Sequence, residues 1–467
     1  MNKTKFIATL FISLTAIFTS QAETAKYVFY FIGDGMGMGH VNTTETYNRD
    51  VLKSDKPILM MTFPVASQVR TYSFNNPITD SAAAGTALST GNKTNNSMVG
   101  MDPDTTDVYS IATDFMKLGR PVGVVSSVAG DDATPAAFYA HAPKRSMKRE
   151  ISDMAITSGL TFLGAPAFRG GIGDDEASKS WATRMSKEGG YAVVYDYSGY
   201  QAVKNRAGKV LMLASKPQGD QAGYTIDSIA GTISIQQLTE ACLDRMLQEG
   251  GLEKGFFMMA EGGNIDWAAH ANDGAAVIKE ILNFQKAIDI AYQFYLQHPD
   301  ETLIVITADH DTGGMALGRR DASKGWNLSK IDFQKISKDR FQDWCKANAD
   351  SEGVISWDTM LQFLKQNLGL DLIHASNAEI AEIKQCYEDT YVNRTGKDEK
   401  TLYKNFDAFT TKVYDVVNRH YGIGFTTNSH TANPVPLYAI GAGADLFKGM
   451  NNNTEVPKNI LKAAGIK

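Results

Sequence analysis

The sequence is short of three features that would each place it in a different class of protein. It has three cysteines in 467 residues, Cys242, Cys345 and Cys386. An odd number leaves one unpaired and none has the spacing of metal ligands, so a disulfide framework is excluded, although a Cys345–Cys386 bridge stays open. The formal net charge is −6 and no basic block occurs, which argues against nucleic-acid binding. After the N-terminus, no apolar run approaches the length of a membrane span.

The composition is that of a soluble globular protein with an export signal. Hydrophobic residues make up 43% of the chain and charged residues 21%. Lys3 and Lys5 precede the mostly apolar stretch Phe6 to Phe18, and small residues follow at a cleavage site. This pattern predicts a signal peptide at residues 1–22 and a periplasmic or secreted mature chain at residues 23–467; a signal anchor is the alternative. Because no cysteine lies near the predicted cleavage site, a lipid anchor is not expected. No other stable membrane anchor is expected either, since no later apolar run is long enough to span a membrane.

Apolar, β-rich runs alternate with helical patterns along the chain. The first run, Tyr27–Ile32, is continuous and ends at Gly33-Asp34-Gly35, which is typical of a strand buried on both faces of a parallel sheet. Similar runs are Val122–Val125, Lys209–Leu213, Phe256–Ala260, Leu303–Thr307 and Val435–Gly441, and helical patterns between them include Ile235–Leu247 and Ala276–Leu296. The alternation predicts an α/β fold of three layers (α/β/α), with a central mostly parallel sheet and helices on both faces.

The last third of the chain departs from this alternation. Residues from about 323 to 421 are rich in lysine and acidic residues and nearly free of strand signals. Their helical patterns are Asp332–Ala347, Asp358–Gln366, Asn377–Thr390 and Leu402–Arg419. We interpret them as a helix-rich insertion in one domain of residues 23–467, closed by a final strand at Val435–Gly441. The insertion either forms structural or dimer contacts, as in a homodimer, or covers the functional site as a lid.

Polar side chains suited to metal binding follow three of the predicted strands. Asp34 follows the first strand, and Glu261 follows Phe256–Ala260. Asp309 and His310 come after Leu303–Thr307. In open α/β sheets, ligands gather at the carboxyl ends of the strands, so these side chains are expected to converge at one edge.

A second group of candidate ligands involves two histidines. Asp266 and His270 are spaced i and i+4, which places both on one face of a helix. His430 adds an imidazole just before the predicted last strand. Zinc takes nitrogen and oxygen ligands of these kinds. Taken separately, the two histidines are more often structural, so only the set points to zinc.

Three further segments carry groups that suit phosphate chemistry. Ser81 follows the cap-forming Asp80 at a predicted helix start, where free N–H groups and the helix dipole stabilise negative charge. Asp132 and Thr134 supply a carboxylate and a hydroxyl, which suit a hard ion such as magnesium. Arg145 can hold a phosphate through two parallel hydrogen bonds. Each of these residues alone is also explained as an ordinary helix start or surface charge.

Together these segments resemble the metal-dependent alkaline phosphatases of the alkaline phosphatase superfamily. The matching segments are Gly33–Gly37, Ile78–Thr86, Thr90–Thr94, Asp132–Ala136, Glu261–Asp266 and Ala308–Gly314. They occur in family order between Tyr27 and about Gly318, and the resemblance resumes near His430. It implies hydrolysis of small-molecule phosphate monoesters through a phosphoserine, with broad specificity and an alkaline optimum.

The resemblance also implies a site with two Zn²⁺ ions and one Mg²⁺ ion. The implied ligands are Asp266, His270 and His430 for one zinc; Asp34, Asp309, His310 and the Ser81 oxygen for the other; and Asp34, Asp132, Thr134 and Glu261 for the magnesium. Ser81 would be the nucleophile, and Arg145 would clamp the phosphate oxygens. Trp267 stands where enterobacterial members carry lysine, so it either lines the phosphate or is a packed aromatic residue. The third metal stays open between magnesium and another divalent ion such as cobalt.

Other functions fit the sequence less well. Sulfatases of the same fold need a Ser/Cys-x-Pro-x-Arg segment, which Ser81–Gly85 is not. Diesterases of the superfamily usually lack the third-metal residues that are present here. A dinucleotide site fails because Met38 and His40 occupy the third-glycine positions after Gly33 and Gly35. A secreted metal- or phosphate-binding protein without turnover is the alternative from another class.

Overall fold

The structure is a computed structural model that describes residues 24–171, 175–215 and 221–467. The signal peptide predicted at residues 1–22 lies outside the described residues. Among the helices that are described, none combines the length and the apolar character needed to cross a membrane.

A ten-stranded sheet forms the centre of the fold. Its strands, numbered in chain order, are β1 (Tyr27–Ile32), β2 (Val65–Arg70), β3 (Val122–Ser126), β4 (Phe162–Gly164), β5 (Tyr191–Tyr195), β6 (Lys209–Leu213), β7 (Phe256–Glu261), β8 (Thr302–Thr307), β9 (Val435–Gly441) and β10 (Met450–Asn452). Their spatial order is β10-β2-β9-β8-β1-β7-β3-β4-β6-β5. All pairings are parallel except those of β9 with β2 and β8. The predicted α/β fold with a mostly parallel sheet is therefore confirmed.

Helices cover both faces of this sheet. They are α1 (Met38–Asp50), α2 (Ser81–Thr90), α3 (Ile111–Lys117), α4 (Ala133–Ala136), α5 (Lys148–Thr157), α6 (Glu176–Lys187), α7 (Asp196–Val203), α8 (Ile235–Met246), α9 (Leu252–Lys254), α10 (Asn264–His270), α11 (Gly274–Gln297), α12 (Lys338–Asn348), α13 (Trp357–Leu368), α14 (Asn377–Tyr387), α15 (Ala408–Tyr421) and α16 (Glu455–Ala463). Side-chain caps fix several starts; Ser234 and Gln237, for example, form a capping box at α8.

The centre of the sheet is entirely buried. Every residue of β1, β7 and β8 is buried, as expected of strands covered on both faces. Aromatic rings fill this region, and the ring centroid of Phe256 lies 5.1 Å from that of Phe29 and 5.5 Å from that of Phe294. All three cysteines are free, so the Cys345–Cys386 bridge that the sequence left open is not formed.

The register of the central strands places the candidate ligands together. Ile32 at the end of β1 pairs with Glu261 on one side and Thr307 on the other. The segments that follow β1 and β8 therefore leave the sheet beside each other. Asp34 and Asp309 thus lie at the same carboxyl edge as Glu261.

Several predicted boundaries differ from the structure. The strand Val435–Gly441 has the predicted bounds but is not the last one, since Met450–Asn452 follows it and pairs with β2. The strands β2, β4 and β5 were not predicted. β4 and β10 have three residues each, which is too short for a periodic signal, and β2 is partly exposed.

Residues 323–421 are mostly helical, but two of the predicted helices begin too early. The helix predicted from Asp332 begins at Lys338, where the Ser337 side chain accepts a hydrogen bond from a backbone N–H. The helix predicted from Leu402 begins at Ala408. Instead, Asn405–Phe406 pairs antiparallel with Glu399–Lys400, and residues 401–404 connect the two strands. We call residues 399–406 the insertion hairpin.

Candidate active site

The candidate nucleophile lies at the N-terminus of a buried helix. Ser81 is the first residue of α2 and is 1% exposed. The carboxylate of Asp80 caps the helix by accepting a hydrogen bond from the Ala83 N–H at 3.0 Å. The Ser81 Oγ lies 3.2 Å from Nε2 of His310. The hydroxyl therefore faces a candidate metal ligand from the positive end of a helix dipole.

The residues that follow β1 and β8 form one candidate metal group. Ligand atoms of Asp34, Asp309 and His310 lie within 4.8 Å of one another, and all three residues are buried. Nε2 of His310 is 3.5 Å from Oδ1 of Asp34 and 3.1 Å from Oδ2 of Asp309. The backbone N–H groups of Gly35 and His310 both donate to Oδ1 of Asp309. This arrangement leaves Oδ2 of Asp309 turned toward the cluster.

The two remaining histidines meet Asp266 beside this group. Nε2 of His270 lies 3.4 Å from Asp266 and 3.1 Å from Nε2 of His430. The Nδ1 atoms of His270 and His430 bond the carbonyl oxygens of Asn428 and Thr79, at 2.7 and 2.8 Å. These backbone contacts orient both rings so that Nε2 faces the cluster.

The two groups adjoin each other. The rings of His310 and His430 stack with their centroids 3.6 Å apart. Ligand atoms of Asp266, His310 and His430 also lie within 4.8 Å of one another. The six predicted zinc ligands are thus brought into one buried cluster next to Ser81.

The predicted magnesium residues lie at its other side. Glu261 accepts a hydrogen bond from the hydroxyl of Ser126, while its Oε1 is buried without a partner among the described residues. The Thr134 hydroxyl is 3.5 Å from Oδ2 of Asp309. This side of the cluster therefore offers oxygen atoms only, which is the preference of a hard cation.

Asp132 differs from the other carboxylates because cations surround it. Its oxygens lie 3.0 Å from Arg145, 3.4 Å from Lys148 and 3.3 Å from Arg169. Burial raises the pKa of Asp132, but the positive charges of Lys148, Arg169 and Arg145 outweigh it and hold this pKa well below the ordinary value. Arg145 also lies 3.6 Å from Asp80, so two carboxylates hold its guanidinium at the edge of the cluster.

Burial shifts the pKa values of the cluster in the directions expected without a cation. It raises the pKa of Asp34 well above its ordinary value, and the neighbouring carboxylate of Asp309 adds to the effect. Burial likewise raises the pKa of Asp309 to about 7 and that of Glu261 to about 8. The pKa of His310 is lowered well below its ordinary value by burial and by the other histidines. A divalent cation binds neutral imidazoles and ionised carboxylates, so it would displace the protons that the raised pKa values keep on Asp34, Asp309 and Glu261.

Trp267 packs beneath the insertion hairpin. Its ring stacks on that of Tyr403, with centroids 4.3 Å apart and 21° between the planes. The guanidinium of Arg169 lies 5.5 Å from the same ring. Trp267 is 7% exposed and lines a cavity of about 560 Å³ together with Tyr403 and Lys404. These contacts show a packed aromatic residue; a role in phosphate binding stays a prediction.

A cavity of about 700 Å³ gives access to the cluster. Its inner wall includes Arg145, His270 and His430. The hairpin residues Lys400 and Leu402 line another part of it. A small molecule that enters from solvent therefore meets the arginine, the histidines and the insertion together.

Sequence reasoning missed several residues of this site. Thr312 bridges Asp266 and Nδ1 of His310, and it lies inside a segment that carried the family resemblance, so a signal was present. Lys148 follows Arg145 by three residues. Arg169 and Tyr403 gave no local signal, because only the fold brings them to the site.

Comparisons with known proteins agree with this geometry. The chain matches the family model described as "Alkaline phosphatase" over residues 25–161 and 184–466. It is 30% identical over 454 residues to alkaline phosphatase 4 of Bacillus subtilis (strain 168), and the aligned region covers 94% of this chain and 88% of that relative. It is 28% identical over 449 residues to alkaline phosphatase 3 of the same organism, with coverage of 94% and 89%.

Solved structures show the same fold. The crystal structure of a cold-active alkaline phosphatase from a psychrophilic Shewanella sp. matches with a TM-score of 0.77 and 26% identity, over 94% of this chain and 99% of that chain. The Thermus thermophilus alkaline phosphatase matches in fold with a TM-score of 0.74 and 21% identity, over 98% and 96%. Since the family match spans most of the chain and the site residues converge, the chain belongs to the alkaline phosphatase family and is an enzyme of that family.

Proposed function

We propose that the protein hydrolyses small-molecule phosphate monoesters through a phosphoserine on Ser81, with two Zn²⁺ ions and one Mg²⁺ ion and an alkaline optimum. The observation that carries this proposal is the position of Ser81. Its hydroxyl lies at a helix N-terminus, 3.2 Å from His310 and beside a buried cluster of nitrogen and oxygen ligands. Broad specificity is expected because Ser81, Arg145 and the proposed metal ligands would bind the phosphoryl group and not the alcohol.

Unpartnered buried oxygens support the metal assignment. Oδ1 of Asp34, Oδ2 of Asp266 and Oε1 of Glu261 are buried without hydrogen-bond partners among the described residues. Leaving carboxylate oxygens buried and unpaired is costly, so these atoms are suited to hold cations. We assign one zinc to Asp266, His270 and His430; the other to Asp34, Asp309, His310 and Ser81; and the magnesium to Asp34, Asp132, Thr134 and Glu261.

Asp132 is compatible with this assignment although it already has three cationic partners. Oδ1 of Asp132 has contacts to Arg145, Lys148 and the Ala133 N–H, whereas Oδ2 has a contact only to Arg169 among the described residues. A carboxylate oxygen has two lone pairs, so one acceptor position of Oδ2 is left for a cation. Another divalent ion at this position is the alternative to magnesium. Metal content measured for wild type and for Glu261→Gln decides between them.

The residues of the chain suit a double displacement at phosphorus. Bound metal would supply Lewis-acid stabilisation of the negative charge on the attacking and leaving oxygens. Ser81 loses its hydroxyl proton to solvent, and its Oγ forms a bond to phosphorus as the ester P–O bond breaks. The leaving oxygen takes a proton from solvent and departs as the alcohol. Arg145 binds the non-bridging oxygens, and the N-terminus of α2 stabilises their charge. Water then cleaves the phosphoserine, which releases inorganic phosphate and restores Ser81.

We place this reaction in the periplasm or outside the cell, on the basis of the export signal predicted at residues 1–22. The substrates are small molecules that fit the cavity above Arg145, and no nucleic-acid partner is proposed. A homodimer remains a prediction.

The first test of the mechanism is the variant Ser81→Ala in the mature protein. Hydrolysis of p-nitrophenyl phosphate at alkaline pH is measured before chelation, after chelation and after zinc is restored. We expect chelation to abolish activity reversibly and Ser81→Ala to lower kcat by at least about 10³-fold, because the nucleophile is lost. Ser89→Ala is the matched control, since Ser89 lies in the same helix and its buried hydroxyl donates to the carbonyl oxygens of Ala137 and Thr86, away from the candidate ligands.

Two results would contradict the proposal. Robust activity in Ser81→Ala would remove the phosphoserine and favour direct attack by water. Absence of turnover in the metal-loaded wild type would favour a phosphate-binding protein instead.

A further inference from the structure

The insertion hairpin places one aromatic side chain against the cluster of proposed zinc ligands. The ring of Tyr403 stacks on Trp267, and its centroid lies 5.3 Å from that of His270, with 78° between the planes. Trp267 and His270 both belong to α10, the helix that also carries Asp266. Tyr403 therefore contacts the helix that supplies two of the proposed zinc ligands.

The hydroxyl of Tyr403 points inward and is unsatisfied. It is buried and has no hydrogen-bond partner within the part of the chain that the structure describes. It interacts electrostatically with the carboxylates of Asp266 and Asp132 and with the guanidinium of Arg145. A buried phenol normally finds a hydrogen-bond partner. A ligand that binds between Arg145 and the cluster would provide one.

The hairpin is held in place on both sides of Tyr403. On one side, Glu399 bonds Lys338 at 3.1 Å and the amide of Asn428 at 3.2 Å. On the other side, Nζ of Lys404 donates to Asp343 at 2.8 Å and to a backbone carbonyl at 3.0 Å. These contacts tie the hairpin to α12 and to the segment before His430, so the phenol is positioned before any ligand arrives.

We propose that Tyr403 is a further substrate-binding residue, whose hydroxyl donates a hydrogen bond to a non-bridging phosphoryl oxygen held by Arg145. This inference rests on the proposed function and extends it. A hydrogen bond between a neutral donor and a charged acceptor is among the stronger kinds in proteins, and the phenol hydroxyl of Tyr403 is such a donor. The insertion then contributes a side chain to the site itself.

The test is the variant Tyr403→Phe, which keeps the ring on Trp267 and removes only the hydroxyl. Inorganic phosphate is titrated into the zinc-loaded protein by calorimetry, and kcat/KM is measured in parallel. We expect Kd for phosphate to rise about tenfold and kcat/KM to fall by a similar factor. The matched control is Tyr387→Phe, which removes a hydroxyl in the same insertion that donates to the Ile355 carbonyl at 2.6 Å. It should leave both quantities unchanged.

The possible outcomes separate this inference from the proposed function. A Kd within twofold of wild type in Tyr403→Phe would overturn the role of the hydroxyl. If wild type binds phosphate but hydrolyses no ester, the proposed function fails while the calorimetric comparison still decides the role of Tyr403. If metal-loaded wild type does not bind phosphate, both are overturned.

Discussion

At the scale of single residues, Asp80 joins the helix of the proposed nucleophile to the arginine that is proposed to bind phosphate. One oxygen accepts from the Ala83 N–H at 3.0 Å, and the other accepts from the Ser97 N–H at 2.9 Å. Nη1 of Arg145 lies 3.6 Å from the second oxygen. The same side chain therefore fixes the start of α2, the loop before Val99 and the position of the guanidinium.

Replacing Asp80 tests this capping role. We expect Asp80→Ala to lower the free energy of unfolding by about 1–2 kcal/mol, because the first turn of α2 loses its side-chain acceptor. Asp80→Asn is the control, since an amide oxygen caps a helix nearly as well as a carboxylate. Urea denaturation of the three proteins measures the difference. Equal losses in both variants would show that charge, and not the cap, accounts for the effect.

The residues of the site were predictable to the extent that they lie in local segments. The turns after β1, β7 and β8 carry Asp34, Glu261 and Asp309, and the sequence shows both the buried strand and the polar residue that follows it. The structure brings these residues together with Ser81. Tyr403 and Arg169 could not be found this way, because no motif marks Tyr403 or Arg169. Tyr403 is also separated from its stacking partner Trp267 by more than 130 residues, so only the fold brings the two rings together.

At the scale of elements, long apolar runs were predicted well, whereas the short strands and the starts of two helices were not. The bounds of β1, β6 and β9 match the prediction. The error at Leu402 has a specific cause: Asp407 accepts from the Thr410 N–H at 2.6 Å and so starts α15 after the hairpin. Helical periodicity alone does not locate such a cap, since the residues before it also fit the pattern.

The helices that carry the insertion hairpin are joined by an ion network. Glu382 on α14 accepts two hydrogen bonds from Arg419 on α15, at 2.9 and 2.7 Å, and a third from Lys412 at 2.9 Å. Hydrogen bonding to Arg419 lowers the pKa of Glu382 from 4.5 to about 2. Because the pKa of Glu382 is depressed in the folded protein, its ionised carboxylate stabilises the fold at pH values above the ordinary pKa of a glutamate. This contribution is lost as the pH falls toward 2.

Glu382→Gln tests that network. Because the pair is partly exposed and screened by solvent, we expect the free energy of unfolding to fall by about 0.5–1 kcal/mol at neutral pH. The difference from wild type should shrink as the pH falls toward 2, because Glu382 is then protonated in the unfolded chain and increasingly protonated in the folded protein. Glu388→Gln is the control, since its partner Lys384 lies at 3.9 Å on the surface. A difference that does not change with pH would contradict the linkage.

At the scale of the whole molecule, the parallel sheet brings several carboxylates to one buried edge, and bound cations are proposed to neutralise their negative charge. Adjacent strands deliver Asp34, Glu261 and Asp309 to one buried edge. The fold supplies Lys148, Arg169 and Arg145 to Asp132 alone among the site carboxylates, and that carboxylate is the one whose pKa is lowered. Asp34, Asp309 and Glu261 have raised pKa values, so the metal-free protein holds protons there that the unfolded chain would release.

The stability of the metal-free protein should therefore decrease as the pH rises. The pKa values of Asp309 and Glu261 are raised to about 7 and about 8, so their contribution is present at low pH and is lost as the pH rises through these values. We expect the Tm of chelated protein to fall as the pH rises from the ordinary pKa values of these groups, 3.8 and 4.5, up to about 8, and to level off above that pH. The Tm of metal-loaded protein should change less, and zinc binding at pH 7 should release protons. Chelated Glu261→Gln should lose less stability over this range, because one of the titrating carboxyls is absent. A chelated wild type with a constant Tm would show that the carboxylates are not forced together by the fold, and the cation requirement would lose its physical basis.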